Sequence, residues 1–252
     1  MRFSSRGNSR VSLINARNNY NELTSTIHDY MRLIVSIDKM DIRIEMAQYQ
    51  MIRSSLFLVL YNLIESTMAI LIRAVTDEIN NNFISDTLKS MHLHDKIAKE
   101  VLKNIRADLE TGESFYNYSL GICKNPNFKI SEGGGGNWNY INIVAFSNKI
   151  GVKINMFDAF GRTCKRTVAR RAKYVLDAED PKIGSKTINS ITDYRNKLAH
   201  GEVSFHKLTR DMTVNEMRAY ALKTKMFLFY LIKRYELFIS ERQYLKQTEN
   251  VA

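Results

Sequence analysis

Leu56 to Ile72 reads LFLVLYNLIESTMAILI, and the way this run is buried decides the fold. Its length approaches that of a membrane span, yet Asn62, Glu65, Ser66 and Thr67 sit at its centre and Arg53 and Arg73 at its ends. A carboxylate at mid-bilayer is costly, so the run reads as the core helix of a bundle. Its apolar residues go nearly all round, which predicts a central position. The helix holding it should begin near Asp41 and run through Gln48, Leu56, Ile64 and Ile72 to about Ile79, broken once at most.

Outward from that run the pattern stays helical. Val11 to about Ser36 carries Leu13, Tyr20, Leu23, Ile27, Tyr30 and Leu33 near helical spacing, and Ser85 to Leu109 suits one or two amphipathic helices. Gly112 to Glu132 is of mixed polarity, and Gly133 to Gly136 has no side chains to fix a conformation, so it predicts a flexible loop or hinge. Tyr140 to Ile150 predicts a short helix capped by Asn139 and stopped by Gly151. Val152 to Phe157 and Arg166 to Leu176 fit either a hairpin or a further helix, and Asp177 to Gly184 is a connector. From Ser185 a helix shows Ile188, Ile191, Tyr194, Leu198 and Ala199 on one face and stops at Gly201. Thr213-Val214-Asn215-Glu216 matches a capping box for a final helix running to about Leu245. Two prolines and 11 glycines in 252 residues complete a mainly α fold class. The expected architecture is a single domain over residues 1–252, a helical bundle with an irregular or partly β insertion at about 112–184.

A formal charge of +11 favours polyanionic partners, of which nucleic acid is the commonest inside cells. Cys123 and Cys164 show no metal-ligand spacing, and Met1 to Arg10 lacks the apolar run of a secretion signal. Together they suggest a reducing cytoplasm, with no disulfide framework and no zinc site. Gly184-Ser185-Lys186-Thr187 lacks the order of a phosphate loop, while His92 and His94 point to different helix faces without a carboxylate-rich motif. No cofactor and no metal are therefore expected. His28 and His206 read as surface or core residues, and Trp138 as core or hinge packing.

The chemistry concentrates in Arg195-Asn196-Lys197-Leu198-Ala199-His200-Gly201. Arginine supplies a cation for a phosphate, and histidine can move protons near neutral pH. Five positions on a helix separate the two by about 140°, so they flank a groove instead of stacking. Asn196 lies four residues before His200 and shares its face, where it can orient the imidazole or bind a phosphate oxygen.

RNKLAHG, at the C-terminal part of one helix and ahead of a short loop and a long terminal helix, resembles the HEPN superfamily of helical ribonucleases. The signature there is an arginine, usually followed by a polar residue, with a histidine shortly downstream; Arg195, Asn196 and His200 fit it with a four-residue gap. Leu60 to Met68, LYNLIESTM, also resembles the core helix of HEPN-like nucleases from bacterial toxin and defence loci. The likeness is read over about residues 40–110 and 184–245. It implies four or five helices, a homodimer with facing RNKLAH segments, and metal-independent endoribonuclease activity leaving 2′,3′-cyclic phosphate and 5′-hydroxyl ends. It further implies a toxin or anti-phage effector restrained by an antitoxin or defence-system partner, with Arg195 and His200 catalytic and Asn196 supporting. Some such toxins carry a modifiable tyrosine two residues after the histidine; Glu202 stands there in this chain.

Asn62 and Glu65 share a face of the core helix and are candidates to support catalysis by touching Arg195 or His200; alternatively Glu65 pairs with Arg73 or Arg195 and only pins the bundle. Between Arg162 and Lys173, a run with no acidic residue, Lys165, Arg166, Arg170, Arg171 and Lys173 are candidates to grip an RNA backbone, with Phe160 or Tyr174 free to stack on bases. Two other functions share these features. One is a non-catalytic HEPN-like module binding RNA or protein, and the other a helical adaptor in which Arg195 pairs with Glu65 and His200 caps its own helix.

Overall fold

The computed structural model describes residues 6–39, 44–84, 93–100, 130, 137–154 and 185–245. These residues form six named helices: α1 Arg6–Asp38, α2 Met46–Ile84, α3 Tyr140–Lys149, α4 Ser185–Ala199, α5 Phe205–Leu208 and α6 Val214–Ser240. Among the described residues there is no strand, only an isolated bridge between Leu93 and Leu245. Asp41, Gly133 to Gly136, most of the proposed insertion and the whole basic run from Arg162 to Lys173 lie outside the described residues.

The second helix organises the rest. Its 39 residues contain neither glycine nor proline, so it runs unbroken for about 58 Å. Leu56, Phe57, Leu60, Tyr61, Leu63, Ile64, Met68 and Leu71 are almost wholly buried, a broad stripe repeating every three to four residues. α1, α4, α5 and α6 all pack on this helix. By length and composition alone Met46–Asn81 would suffice to cross a membrane, but 56% of its most apolar window is buried inside the fold. Of the polar residues at the centre of the run, Asn62 is exposed and Glu65 half-buried, whereas Thr67 is buried, as are Arg53 and Ser54 nearer the start of the helix.

Local capping signals place the other helices. Asn139 accepts a hydrogen bond from the Asn142 amide at 2.8 Å at the start of α3, and Gly151 beyond its end has φ +95°. At α6 the Thr213 hydroxyl accepts from the Glu216 amide at 3.2 Å while Glu216 accepts from the Thr213 amide at 2.6 Å. α3 lies within the region expected to be an insertion, yet Trp138, Ile143, Phe146 and Ile150 belong to the common core. α6 is shorter than its sequence suggests. Arg242 adopts φ 52°, the chain turns back after Ser240, and Tyr244 reaches the buried Glu78 carboxylate, donating to it at 2.8 Å. Nothing in residues 241–245 announces that turn, because arginine is not a usual left-handed residue.

α1 closes over α2 and α6. Tyr20 donates its hydroxyl proton to the Lys225 carbonyl at 2.8 Å, and Arg17 forks onto Glu236, with one of its two bonds at 2.8 Å. Burial alone would push the Glu236 carboxyl up, but hydrogen bonds from Arg17 and Lys233 outweigh it and hold the group below its ordinary 4.5. A carboxyl held low in the folded state stabilises the fold above about pH 4.5, and that contribution disappears as pH falls through the folded value. Between pH 6 and pH 3, in round terms, wild type should therefore lose more unfolding free energy than Glu236→Gln; equal losses in parallel urea titrations would contradict the pairing. Phe57 is fully buried, with its ring edge-on to Tyr194 at 4.9 Å and Tyr220 at 5.3 Å. Phe57→Ala should cost about 3–5 kcal/mol in chemical denaturation, whereas Asn62→Ala, on the exposed side, should change stability by no more than about 0.5 kcal/mol.

Candidate functional site

The helix α4 is amphipathic, and a half-buried arginine lies in phase with its buried stripe. Ile188, Ile191 and Leu198 face the core, and Arg195 falls in phase with them, three to four residues from Ile191 and Leu198. Thr192 is buried on this face, while Ala199, expected there, is exposed. The guanidinium cannot bury itself without a partner, and it meets an aromatic face: its Cζ lies 4.5 Å from the centre of the Tyr61 ring. Its Nη1 also donates to the Asn196 side-chain oxygen at 3.0 Å. Among the described residues Arg195 makes no ion pair; the nearest acidic neighbour in sequence, Asp193, is held instead by Lys197 at 2.7 Å.

Residues 137–140 close over the same spot. The Trp138 amide approaches the Tyr61 hydroxyl at 3.4 Å, the Trp138 carbonyl accepts from Thr192 at 3.2 Å, and the Tyr140 amide donates to Asn189 at 3.0 Å. The Asn196 amide nitrogen lies 3.5 Å from the Asn137 side-chain oxygen, at the outer limit of a direct hydrogen bond. Burial pushes the Tyr61 phenol above its ordinary value; the bond from Trp138 and the charge of Arg195 act the other way, and Glu65 adds to the rise. The phenol is therefore neutral at physiological pH.

His200 follows directly after α4. Its amide still donates to the Asn196 carbonyl at 2.9 Å, so the helical phase carries through to it, and its side chain is exposed. Gly201, with φ +70°, then turns the chain away. The following connector is pinned to α2. Ser54 donates to the Phe205 carbonyl at 2.6 Å, Thr209 donates to Gln50 at 3.1 Å, and the buried Arg53 donates to the Met212 carbonyl. These polar staples fix the stretch that follows the RNKLAHG segment against the core helix.

Arg195 and Asn196 are thus brought together, and His200 stands one helical turn beyond Asn196 on the exposed side. The Asn196 side chain bonds to Arg195 and approaches Asn137; no hydrogen bond joins it to the imidazole among the described residues. Asn62 is exposed, and neither it nor Glu65 makes a hydrogen bond or ion pair with Arg195 or His200 among the described residues. The residue of α2 that meets Arg195 is Tyr61. Its signal in the sequence was its phase: it lies four residues after Phe57 and three before Ile64, on the buried stripe. Among the described residues no cluster of histidine, cysteine and carboxylate side chains could hold a metal ion.

Residues 11–244 match the family model described as MAE_28990-like HEPN, a span that takes in α1 and α3 beyond the segments on which the likeness was read. No curated protein and no solved structure matches the chain.

A Cβ added at Gly201 would meet nothing within 4 Å, so only backbone strain opposes substitution. Gly201→Ala should cost about 1 kcal/mol, with Gly201→Asn costing less because asparagine tolerates this conformation. Thermal melts of the three proteins check the order, and an alanine variant as stable as wild type would contradict it.

Proposed function

The chain belongs to the MAE_28990-like HEPN family, and from that premise we propose that it is an endoribonuclease in which Arg195 and His200 cut RNA without a metal ion. One observation carries this reading. A half-buried guanidinium with no carboxylate partner among the described residues stands at the end of the same helix as an exposed imidazole. An arginine neutralised by Glu65 would suit an adaptor; an arginine stacked on an aromatic ring keeps its charge for a phosphate.

The chemistry follows from the two groups. An RNA phosphate drawn to Arg195 has its developing negative charge stabilised there as the neighbouring 2′-oxygen attacks phosphorus. The bond from phosphorus to the 5′-oxygen breaks, leaving a 2′,3′-cyclic phosphate on one fragment and a 5′-hydroxyl on the other. One imidazole takes the 2′-hydroxyl proton, and a second delivers a proton to the departing oxygen. Each chain brings one His200, so two copies with RNKLAH segments facing across a two-fold axis suit the reaction better than one. Asn196 supports Arg195 through its side-chain oxygen. Lys165, Arg166, Arg170, Arg171 and Lys173 would add a cationic track for the RNA backbone, in keeping with the charge of +11. The biological setting we propose is cytoplasmic, as a toxin or defence effector held in check by a partner protein.

The exposed imidazole has no orienting hydrogen bond among the described residues, a feature that a non-catalytic RNA- or protein-binding module of the same family would share. A single comparison separates the two. Purified wild type should degrade total cellular RNA in excess chelator, and His200→Ala and Arg195→Ala, folded as wild type, should each lose about 100-fold or more of that activity. Undiminished cleavage by His200→Ala, or binding without cleavage by every form, would overturn the nuclease reading.

A further inference from the structure

The reading of Arg195 as the phosphate-binding cation leaves open what fixes its guanidinium in place. No carboxylate does so among the described residues, and an arginine side chain left to itself samples many rotamers. The structure supplies two contacts on different sides. Asn196 accepts one bond at 3.0 Å, and the Tyr61 ring lies under the guanidinium carbon at 4.5 Å. Tyr61 is itself enclosed by the core. It is 1% exposed in the most apolar part of α2, and its hydroxyl faces the amide of Trp138.

Trp138 is in turn buried at 4% exposure, edge-on to Phe146 at 5.4 Å, and its carbonyl is held by Thr192 of the same helix that carries Arg195. The contacts therefore form a closed circuit from α4 through Arg195 to Tyr61, through Trp138, and back to α4 at Thr192. A closed circuit restrains each member more than a chain of the same contacts would.

We propose that Tyr61 is a positioning residue for RNA cleavage: its ring is the platform that holds the Arg195 guanidinium ready for the scissile phosphate, and core burial, more than the single contact of its hydroxyl with Trp138, keeps that platform in place. The proposal rests on the nuclease reading and adds to it a residue that need not touch substrate. A cation held by a neutral ring keeps its full charge, whereas one held by a carboxylate would have it largely cancelled. Preorganisation of this kind acts on the rate of the bound complex more than on affinity.

The test uses the full chain and two substitutions. Tyr61→Phe keeps the platform and loses only the hydroxyl; Tyr61→Leu removes the platform while leaving an apolar residue in the core. Tyr61→Leu should lower kcat by about twofold to thirtyfold with KM and the pH profile of the histidine little changed, and Tyr61→Phe should restore most of the loss. A merely structural role would instead track the melting temperature of each variant.

A second readout needs no activity. The ring should shift the Arg195 side-chain proton signals upfield in the NMR spectrum of wild type and Tyr61→Phe, and the shift should vanish in Tyr61→Leu. Arg195 signals at ordinary arginine positions in wild type would overturn the proposal, as would equal kcat in Tyr61→Leu. An upfield shift in a wild-type protein that cuts no RNA would sink the nuclease reading and support the hold of Tyr61 on Arg195.

Discussion

Everything in this fold answers to the burial of one long helix. α2 exposes too much hydrocarbon on its broad stripe to stand in water alone, and α1, α4, α5 and α6 are arranged so that each covers part of it. The RNKLAHG segment inherits its geometry from that requirement. α4 lies where it does because Ile188 and Ile191 must meet the α2 stripe, and Arg195 lies over Tyr61 because it shares their phase. The polar staples from Gln50, Arg53 and Ser54 then decide where the chain goes after His200.

The parts of this arrangement that were legible in the sequence are those governed by near neighbours. The capping box at Thr213 and Glu216, the cap at Asn139 and the glycine stops at Gly151 and Gly201 are set within a few residues, and each stands where the pattern puts it. Glycine-free, apolar α2 was equally plain in kind but not in extent: Ile44 and Glu45 lie outside it, so it starts at Met46 and not near Asp41, and it runs on to Ile84 instead of about Ile79. The end of α6 was not plain, because the turn at Arg242 exists to bring Tyr244 to Glu78, a partner 166 positions away. Within the candidate site, Arg195, Asn196 and His200 stand out by chemical type and spacing. Tyr61 does not: in LYNLIESTM the eye goes to Asn62 and Glu65, whereas helical phase, about 100° per residue, turns Asn62 outward and Tyr61 toward α4. The approach of residues 137–140 to α4 depends on tertiary placement alone.

A half-buried arginine in phase with the buried stripe of a helix is costly unless something accepts it, and a tyrosine face is an acceptor that does not cancel its charge. That choice separates a structural arginine from one available to a ligand. The exposed imidazole just past the helix end completes a cation and a proton carrier on one short segment, and the excess of positive charge supplies long-range attraction for a polyanion. The three features are those that the proposed phosphodiester chemistry at a 2′-hydroxyl would need.

The most direct test of this account is the chemistry of the ends left on a cleaved RNA. Attack by the 2′-oxygen requires 5′-hydroxyl and 2′,3′-cyclic phosphate termini and leaves a substrate with a 2′-deoxy sugar at the cleaved position intact. Fragments bearing 5′-phosphate, or equal cutting of the 2′-deoxy substrate, would mean that water attacks the phosphorus and that Arg195 and His200 do not work in the way described.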